Sequence, residues 1–152
     1  MDRACAELTP EPTVLRMLIG HDAVDTLDTD QDDPAQINLG QLETSLTARR
    51  IHYVALGDRH STTEVGTTGR VWYSGTQEVT DFDELDPGNV LIVDLARPTS
   101  DEPAGTVRVE PVRLGQWRFL RQRFELSDDS VGDLEQWLSA IPDKQRTVVK
   151  FS

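Results

Sequence analysis

Residues 51–60 read IHYVALGDRH, a short apolar run that stops at a glycine and continues into charged and imidazole side chains. Apolar runs of this length, rich in β-branched and aromatic residues and bounded by glycine, are typical of buried strands. The sequence therefore predicts a strand over Ile51 to Leu56, with Asp58 and His60 in the loop that follows. Loops at the ends of packed strands are rigidly placed yet reach solvent, and they often carry binding groups.

The segment that precedes this strand predicts another strand and a helix. Residues Thr13 to Ile19 read TVLRMLI and end at Gly20, so a buried strand delivers His21 into a loop. Asn38 is a good helix N-cap, and leucines at helical spacing follow it between Leu39 and Arg50. Strands and helices thus alternate along the chain, and we expect an α/β fold.

Four further strands are predicted downstream, with turn sequences between them. Asp86-Pro87-Gly88 and the segment from Pro98 to Gly105 carry the turn residues. The close spacing of these strands predicts antiparallel neighbours in a sheet. The predicted strands are Arg70 to Tyr73, Val90 to Leu95, Thr106 to Val112 and Trp117 to Leu126.

A helix and a final strand complete the predicted elements. The helix spans Ser130 to Ile141, where apolar residues recur at helical spacing, and Pro142 closes it. A strand is predicted from Thr147 to Phe151, and the sequence ends there without a closing turn, which indicates a truncated unit. Because the composition changes near Leu114 and Gly115, we expect two units, residues 1–114 and a smaller α+β unit over residues 115–152.

The chain of 152 residues is long enough for one ordinary domain, and it carries a formal net charge of −12. This charge argues against a surface that binds nucleic acid over its whole extent, because phosphate contacts need clustered Lys and Arg. One segment offers a local basic face, which is either a solvated strand face or a candidate contact for DNA or a protein partner. Its arginines are Arg108, Arg113, Arg118, Arg121 and Arg123.

The cysteine content and the amino-terminal residues bear on the compartment. Cys5 is the single cysteine, which excludes an internal disulfide framework and a cysteine-based zinc site. Acidic residues and prolines precede a short apolar run that Arg16 interrupts, so neither a signal-peptide core nor a membrane span is predicted. We expect a cytoplasmic protein with no membrane partner.

Asp58 and His60 are two residues apart, so in an extended segment both side chains point the same way. A carboxylate oxygen and an imidazole nitrogen together suit manganese, iron or zinc. A surface aspartate beside a surface histidine is also common in proteins without a metal, so the spacing leaves both interpretations open. His52 alternates with apolar neighbours inside the predicted strand, which favours a packing or surface role.

Four segments follow one another along the chain: YVALGDRHSTTEV from Tyr53, VWYSGTQEVTDFDE from Val71, GNVLIVDL from Gly88 and VRVEPVRLGQWRF from Val107. In this order and spacing they resemble the end of a calcineurin-like phosphoesterase domain of the SbcCD-type DNA repair exonuclease branch. The resemblance implies an α/β fold in two parts. The first is part of a metallophosphoesterase sandwich, a mixed sheet with flanking helices, and the second is a small α+β capping subdomain.

In that family a strand-end histidine is followed, after a helix, by a Gly-His-x-His motif and then by a Tyr-x-Gly segment with Ser or Thr. By this resemblance His21 is the isolated metal ligand, His60 is the last histidine of the motif, and residues 73–76 are the segment that follows. Asp58 replaces the motif's first histidine, and its carboxylate is expected to coordinate the cation there. The implied cofactor is Mn²⁺, bound in the family as a pair of ions that clamp a phosphodiester for hydrolysis.

The family's upstream motifs, an Asp-x-His, a Gly-Asp-x-x-Asp and a Gly-Asn-His followed by an acid, do not precede His21. An alternative register makes residues 58–60 the opening Asp-x-His, but nothing downstream then resembles the other two motifs. We therefore expect the C-terminal part of a metal-dependent exonuclease or phosphodiesterase that lacks hydrolase activity and binds metal weakly by itself. The implied partners are DNA and an ATPase subunit of the chromosome-maintenance type.

A non-enzymatic chain is the competing interpretation. The acidic charge and the missing motifs favour a degenerate phosphoesterase or a protein-interaction module. The two interpretations differ in whether the histidines after the first two predicted strands bind a metal ion.

Overall fold

The structure is a computed structural model that describes residues 2–27, 34–99, 101, 105–125 and 131–152. Strands and helices are mixed along the chain, in agreement with the expected α/β class. None of the helices in these ranges is long and apolar enough to cross a lipid bilayer. The elements are α1 (Asp2–Ala6), β1 (Met17–His21), α2 (Leu39–Thr47), β2 (Tyr53–Gly57), β3 (Thr63–Glu64), β4 (Val71–Tyr73), β5 (Asn89–Leu95), β6 (Val107–Arg113), β7 (Arg118–Gln122), α3 (Val131–Ala140), a 3₁₀ turn (Lys144–Arg146) and β8 (Thr147–Phe151).

A mixed four-stranded sheet organises the amino-terminal part, with its strands in the order β1-β2-β4-β3. Strands β1, β2 and β4 are parallel, and the short β3 pairs antiparallel with β4 at the edge. The chain passes from β1 to β2 through α2, because parallel neighbours need a crossover connection. The apolar run of β2 suits a central strand whose two faces are both covered.

Helix α2 begins at a side-chain cap and ends at a left-handed residue. Asn38 Oδ1 accepts a hydrogen bond from the backbone N–H of Gln41 at 2.8 Å, as the sequence predicts. The helix ends at Thr47, short of the predicted Arg50. The reason is that Arg49 has a φ of 58°, a conformation that commonly ends helices.

One face of the sheet packs against α2 and forms the hydrophobic core. Leu42 of α2, Val54 of β2 and Tyr73 of β4 are among its wholly buried side chains. Because side chains alternate between faces along a strand, these positions of β2 and β4 all point toward α2. Cys5 of α1 is buried in the same core and forms no disulfide.

The opposite face of the sheet carries Met17, Tyr53 and Trp72 and lies near β5. A cavity of about 190 Å³ is lined by these side chains and by Leu91 and Val93 of β5. Strand β5 pairs antiparallel with β6 in a separate two-stranded sheet. Strand β5 therefore covers part of this face of the four-stranded sheet.

The carboxyl-terminal part has its own two-stranded sheet, in which β7 and β8 run parallel. Trp137 of α3 packs edge-on against Phe124 and Phe151, with ring centroids 6.0 Å and 5.8 Å apart. Aromatic pairs at such separations add stability beyond the area that they bury. This part contains strands and a helix, with α3 between the two parallel strands along the chain. The α+β unit expected over residues 115–152 and the division into two domains stay predictions.

Strand pairing differs in part from the expected antiparallel neighbours. Strands β5 and β6 are antiparallel, whereas β4 pairs parallel with β2 and β7 pairs parallel with β8. Residues 58–70 connect β2 to β4, and the segment that contains α3 connects β7 to β8. Both connections are long enough for the crossover that a parallel pair needs. Turn signals alone indicate adjacency along the chain and leave the strand direction open.

Two predicted boundaries also shift. Strand β1 begins at Met17 instead of Thr13, since the backbone N–H of Val14 donates to Glu11 O at 3.1 Å in a turn. Strand β7 ends at Gln122, before the predicted end. Residues 126–130, which include the predicted first residue of the last helix, lie outside the described residues.

His52 is 2% exposed and occupies the packing role that its neighbours in sequence predict. Its Nδ1 accepts a hydrogen bond from the backbone N–H of Arg16 at 3.1 Å. Burial lowers the pKa of His52 below its usual 6.5, and the positive charge of Arg70 acts in the same direction. A neutral ring therefore fits the folded state, because protonation of Nδ1 would remove the acceptor.

This buried imidazole predicts a specific loss of stability in acid. The folded pKa of His52 lies below the unfolded one, so the unfolded chain binds more protons as the pH falls through 6.5. The free energy of unfolding should then decrease by up to about 1.4 kcal/mol per pH unit until the folded pKa is reached. Urea denaturation of the wild type and His52→Asn between pH 8 and pH 5 measures this decrease. Asparagine keeps an acceptor but does not titrate, so an equal pH slope in both proteins would contradict the assignment.

Candidate functional site

The candidate site lies at the edge of the sheet where three parallel strands end together. Strands β1, β2 and β4 run in the same direction, so their carboxyl ends share one edge. His21 pairs in register with Gly57, and a carbon atom added at Gly57 would lie 2.7 Å from His21 Cδ2. The imidazole thus lies directly against the glycine. Asp58 follows that glycine at once, which brings the loops of the predicted ligands side by side.

Asp58 adopts an uncommon backbone conformation at the end of β2. Its φ is 97°, in the left-handed region that residues other than glycine seldom enter. Its side chain is exposed. Strained residues of this kind cluster at functional sites, where the surrounding structure holds them.

The Tyr73 hydroxyl holds the loop that follows β1. It donates to the carbonyl oxygen of Asp22 at 2.8 Å and accepts from the backbone N–H of Val24 at 2.9 Å. Tyr73 itself is wholly buried at the end of β4. The direction in which the chain leaves His21 therefore depends on a side chain two strands away.

The residues after β4 hold the loop that follows β2. The backbone N–H of Thr76 donates to His60 O at 3.0 Å. Gly75 has a φ of 75°, and a side chain there would come within 2.7 Å of the same carbonyl oxygen. Only glycine permits this approach without rearrangement. Residues 73–76 thus brace both ligand-bearing loops at once.

The His60 imidazole is half exposed, and its contacts in the described structure are made at Nδ1. That nitrogen lies 2.7 Å from Thr80 Oγ1 and 3.0 Å from Glu84 Oε1. The Glu84 side chain is only 7% exposed, whereas that of His60 is 55% exposed. One ring nitrogen is therefore held by the protein, and the other, Nε2, is the one that can meet a ligand.

The Glu84 carboxylate is held in turn by the start of its own segment. Its Oε2 accepts from the backbone N–H of Thr80 at 2.9 Å, and the Thr80 hydroxyl donates to Oε1. Burial raises the pKa of Glu84, but the hydrogen bonds from Thr80, Asp81 and His60 outweigh it and lower the pKa overall. The group beside His60 is thus an ionised carboxylate.

A shallow cleft of about 290 Å³ opens beside His60. Arg59, Ser61 and the acidic residues Asp81 and Asp83 complete its lining together with Glu84. The Nε of Arg59 is buried and has no hydrogen-bond partner among the described residues. The lining of the cleft therefore combines three acidic side chains with the cationic Arg59.

The side chains present fit only part of a metal site. His21, Asp58 and His60 share one edge of the sheet, and the hydrogen bond at His60 Nδ1 matches the way metal-binding histidines are usually oriented. Across the described ranges, however, no three His, Cys, Asp or Glu side chains converge closely enough to hold an ion. His21, Asp58 and His60 are included in this result, so a closed cation site would need both their convergence and further donors.

The predicted basic face is partly neutralised by neighbouring acids. Arg121 forms an ion pair with Asp83 at 2.8 Å. The other pairs are longer, 3.9 Å between Arg113 and Asp86 and 3.6 Å between Arg108 and Glu110. Arg118 and Arg123 are exposed and have no ion pair among the described residues. A polyanion would have to compete with carboxylates at three of the five positions.

Sequence reasoning missed the residues that hold the predicted ligands. Thr80 and Glu84 lie 20 and 24 residues beyond His60, and no spacing rule links them to it. The acidic end of the segment that begins at Val71 was the available signal, but acidic loop residues are common. The role of the Tyr73 hydroxyl likewise depends on a contact across 51 residues.

No protein-family model matches the sequence, and no curated protein has significant similarity to it. The family resemblance therefore stays a prediction, and the site rests on the geometry of this chain.

Tyr73→Phe tests whether the hydroxyl braces the loop after β1. The substitution leaves the buried N–H of Val24 and the partly buried carbonyl of Asp22 without their partner, which should cost about 1–3 kcal/mol of unfolding free energy. Hydrogen exchange at the Val24 amide should accelerate together with that loss. Tyr53→Phe is the control, since Tyr53 is buried on the opposite face of the sheet. Equal effects of the two substitutions would contradict the bracing role.

Proposed function

We propose that this chain supplies part of the metal site of a two-metal phosphodiesterase of the DNA repair exonuclease type. In this proposal His21, Asp58 and His60 are its metal ligands, and the remaining donors come from outside the described residues, either from further sequence or from a partner. The observation that carries the proposal is the parallel pairing of β1 with β2, which places His21 and residues 58–60 at the same edge of the sheet.

The contacts of His60 support a ligand role over a surface role. A solvated histidine needs no buried carboxylate, yet Glu84 lies 3.0 Å from its Nδ1 and is itself held by Thr80. This arrangement occupies Nδ1, so Nε2 is the ring nitrogen left to bind a borderline cation such as Mn²⁺. Two bound ions would polarise a phosphodiester and activate a water for its hydrolysis.

The chain's own residues would also handle the substrate. Arg59 lines the cleft beside His60, and a guanidinium is suited to a phosphate oxygen. The acidic residues of the same cleft would repel a polyanion until bound cations balance them. We accordingly propose that this chain alone binds Mn²⁺ weakly and does not hydrolyse DNA. The DNA contact through the five arginines and the ATPase partner belong to the same proposal.

A protein-interaction module without enzymatic activity is the second candidate. It is favoured by the lack of a converged donor set among the described residues and by the net charge of −12. In this case the histidines at the sheet edge would serve packing and surface hydrogen bonding alone.

Calorimetric titration of Mn²⁺ separates the two candidates. The wild type should bind Mn²⁺ no more tightly than micromolar, because the donor set is incomplete, and His60→Ala should abolish that binding. His52→Asn is the matched control, since it removes a histidine that is buried and hydrogen-bonded to Arg16. We expect it to bind like the wild type.

The outcomes of this titration differ for each part of the proposal. Equal binding by the wild type and His60→Ala would contradict the ligand role of His60, and no binding by either would favour the interaction module. Sub-micromolar affinity with turnover of a DNA substrate would instead contradict the claim that this chain lacks a complete site.

A further inference from the structure

The segment from Thr80 to Glu84 contacts both His60 and the carboxyl-terminal sheet. Thr80 and Glu84 contact the imidazole of His60, as described above. Between them, Phe82 and Asp83 contact the carboxyl-terminal sheet. A short stretch of chain therefore connects the candidate site to β7.

The contacts with β7 hold this segment through an aromatic pair and an ion pair. The rings of Phe82 and Phe119 are tilted, with centroids 4.9 Å apart. Asp83 accepts from two guanidinium nitrogens of Arg121, at 2.8 Å and 3.0 Å. The ammonium of Lys150 on β8 lies 5.5 Å from the centroid of Phe82. Two of the three residues between Thr80 and Glu84, Phe82 and Asp83, are thus anchored from outside the four-stranded sheet.

The hydrogen bonds around His60 determine which ring nitrogen carries the proton. The Thr80 hydroxyl has one hydrogen, which it donates to Glu84 Oε1. Its oxygen can then only accept from His60 Nδ1, and an ionised Glu84 can also only accept. Nδ1 must therefore be the protonated nitrogen. In the neutral ring, Nε2 then bears the free lone pair.

We propose that Glu84 is a positioning residue for His60, and that it fixes the imidazole in the tautomer whose Nε2 is free to bind a metal ion. This inference deepens the proposed function and rests on it for the role of Nε2. Thr80 shares the contact, and the anchoring of Phe82 and Asp83 on β7 keeps Glu84 in reach of the ring.

Nitrogen-15 spectra of the histidine rings in the metal-free protein test this directly. At about pH 8.5, well above the ordinary histidine pKa, the neutral ring reports its tautomer without interference from protonation. We expect wild-type His60 to carry its proton on Nδ1, and Glu84→Ala to shift the population toward the tautomer protonated on Nε2. An unchanged tautomer in Glu84→Ala would overturn the proposal.

Two further variants keep the test independent of folding and of charge. Glu84→Gln retains an acceptor oxygen, so we expect it to restore the wild-type tautomer. Asp81→Asn removes a negative charge from the same cleft without touching the His60 ring, and its spectrum should match the wild type. If Asp81→Asn shifted the tautomer as far as Glu84→Ala does, charge in the cleft would account for the effect and the positioning role would be wrong.

Mn²⁺ titration then separates this inference from the proposed function. Loss of an outer partner of a metal-binding histidine typically weakens metal binding about 10- to 100-fold, and we expect a loss of this size in Glu84→Ala. The tautomer measurement decides the role of Glu84 and needs no metal. If the wild type bound no Mn²⁺, the proposed function would fail, but the tautomer spectra would still decide whether Glu84 positions His60.

Discussion

Parallel hydrogen bonding between β1 and β2 sets His21 level with Gly57, and the candidate site depends on this register. The two strands end at the same edge, so the residues that follow each of them meet there. Because side chains alternate along a strand, a shift by one residue would turn His21 toward α2 and bury it in the core. The register is secured by the wholly buried apolar residues of β2, which fit against α2 on one face. Burial of the core therefore also places the polar groups.

The loops at this edge are held by groups that have no role in the chemistry themselves. The Tyr73 hydroxyl fixes the chain after β1, and the close approach of Gly75 to His60 O fixes the chain after β2. The segment 80–84 adds a third support, which reaches the carboxyl-terminal sheet through Phe82 and Asp83. A site held from three sides keeps its geometry even though His60 is largely exposed, and such preorganisation is what binding groups require.

Much of the fold could be predicted from the sequence, because it follows from local patterns. The apolar run at 51–56 and the leucines after Asn38 correctly indicated β2 and α2, since burial and capping act over a few residues. Strand direction was harder, because turn residues leave open whether the next strand runs back or crosses over. The end of α2 depended on the left-handed Arg49, which no helix signal indicated.

The prediction of the candidate site depended on the prediction of where the strands end. His21, Asp58 and His60 were proposed because each lies at or just after the end of a predicted strand; in the structure His21 is the last residue of β1, and Asp58 and His60 follow β2 at the same edge. Their supports, Tyr73 to Asp22 and Glu84 to His60, join residues 51 and 24 positions apart. Contacts between residues so far apart in the sequence depend on how the layers of the fold pack, and no local sequence pattern indicates them.

The proposed metal site requires the carboxyl ends of β1, β2 and β4 to form one binding edge. Paramagnetic broadening of amide signals during a titration with substoichiometric Mn²⁺ measures this most directly, since it locates the ion by distance alone. We expect the broadening to be strongest for residues 21–24, 58–61 and 74–76 and weak in α3. Broadening centred on any other acidic surface, with these three loops unaffected, would contradict it.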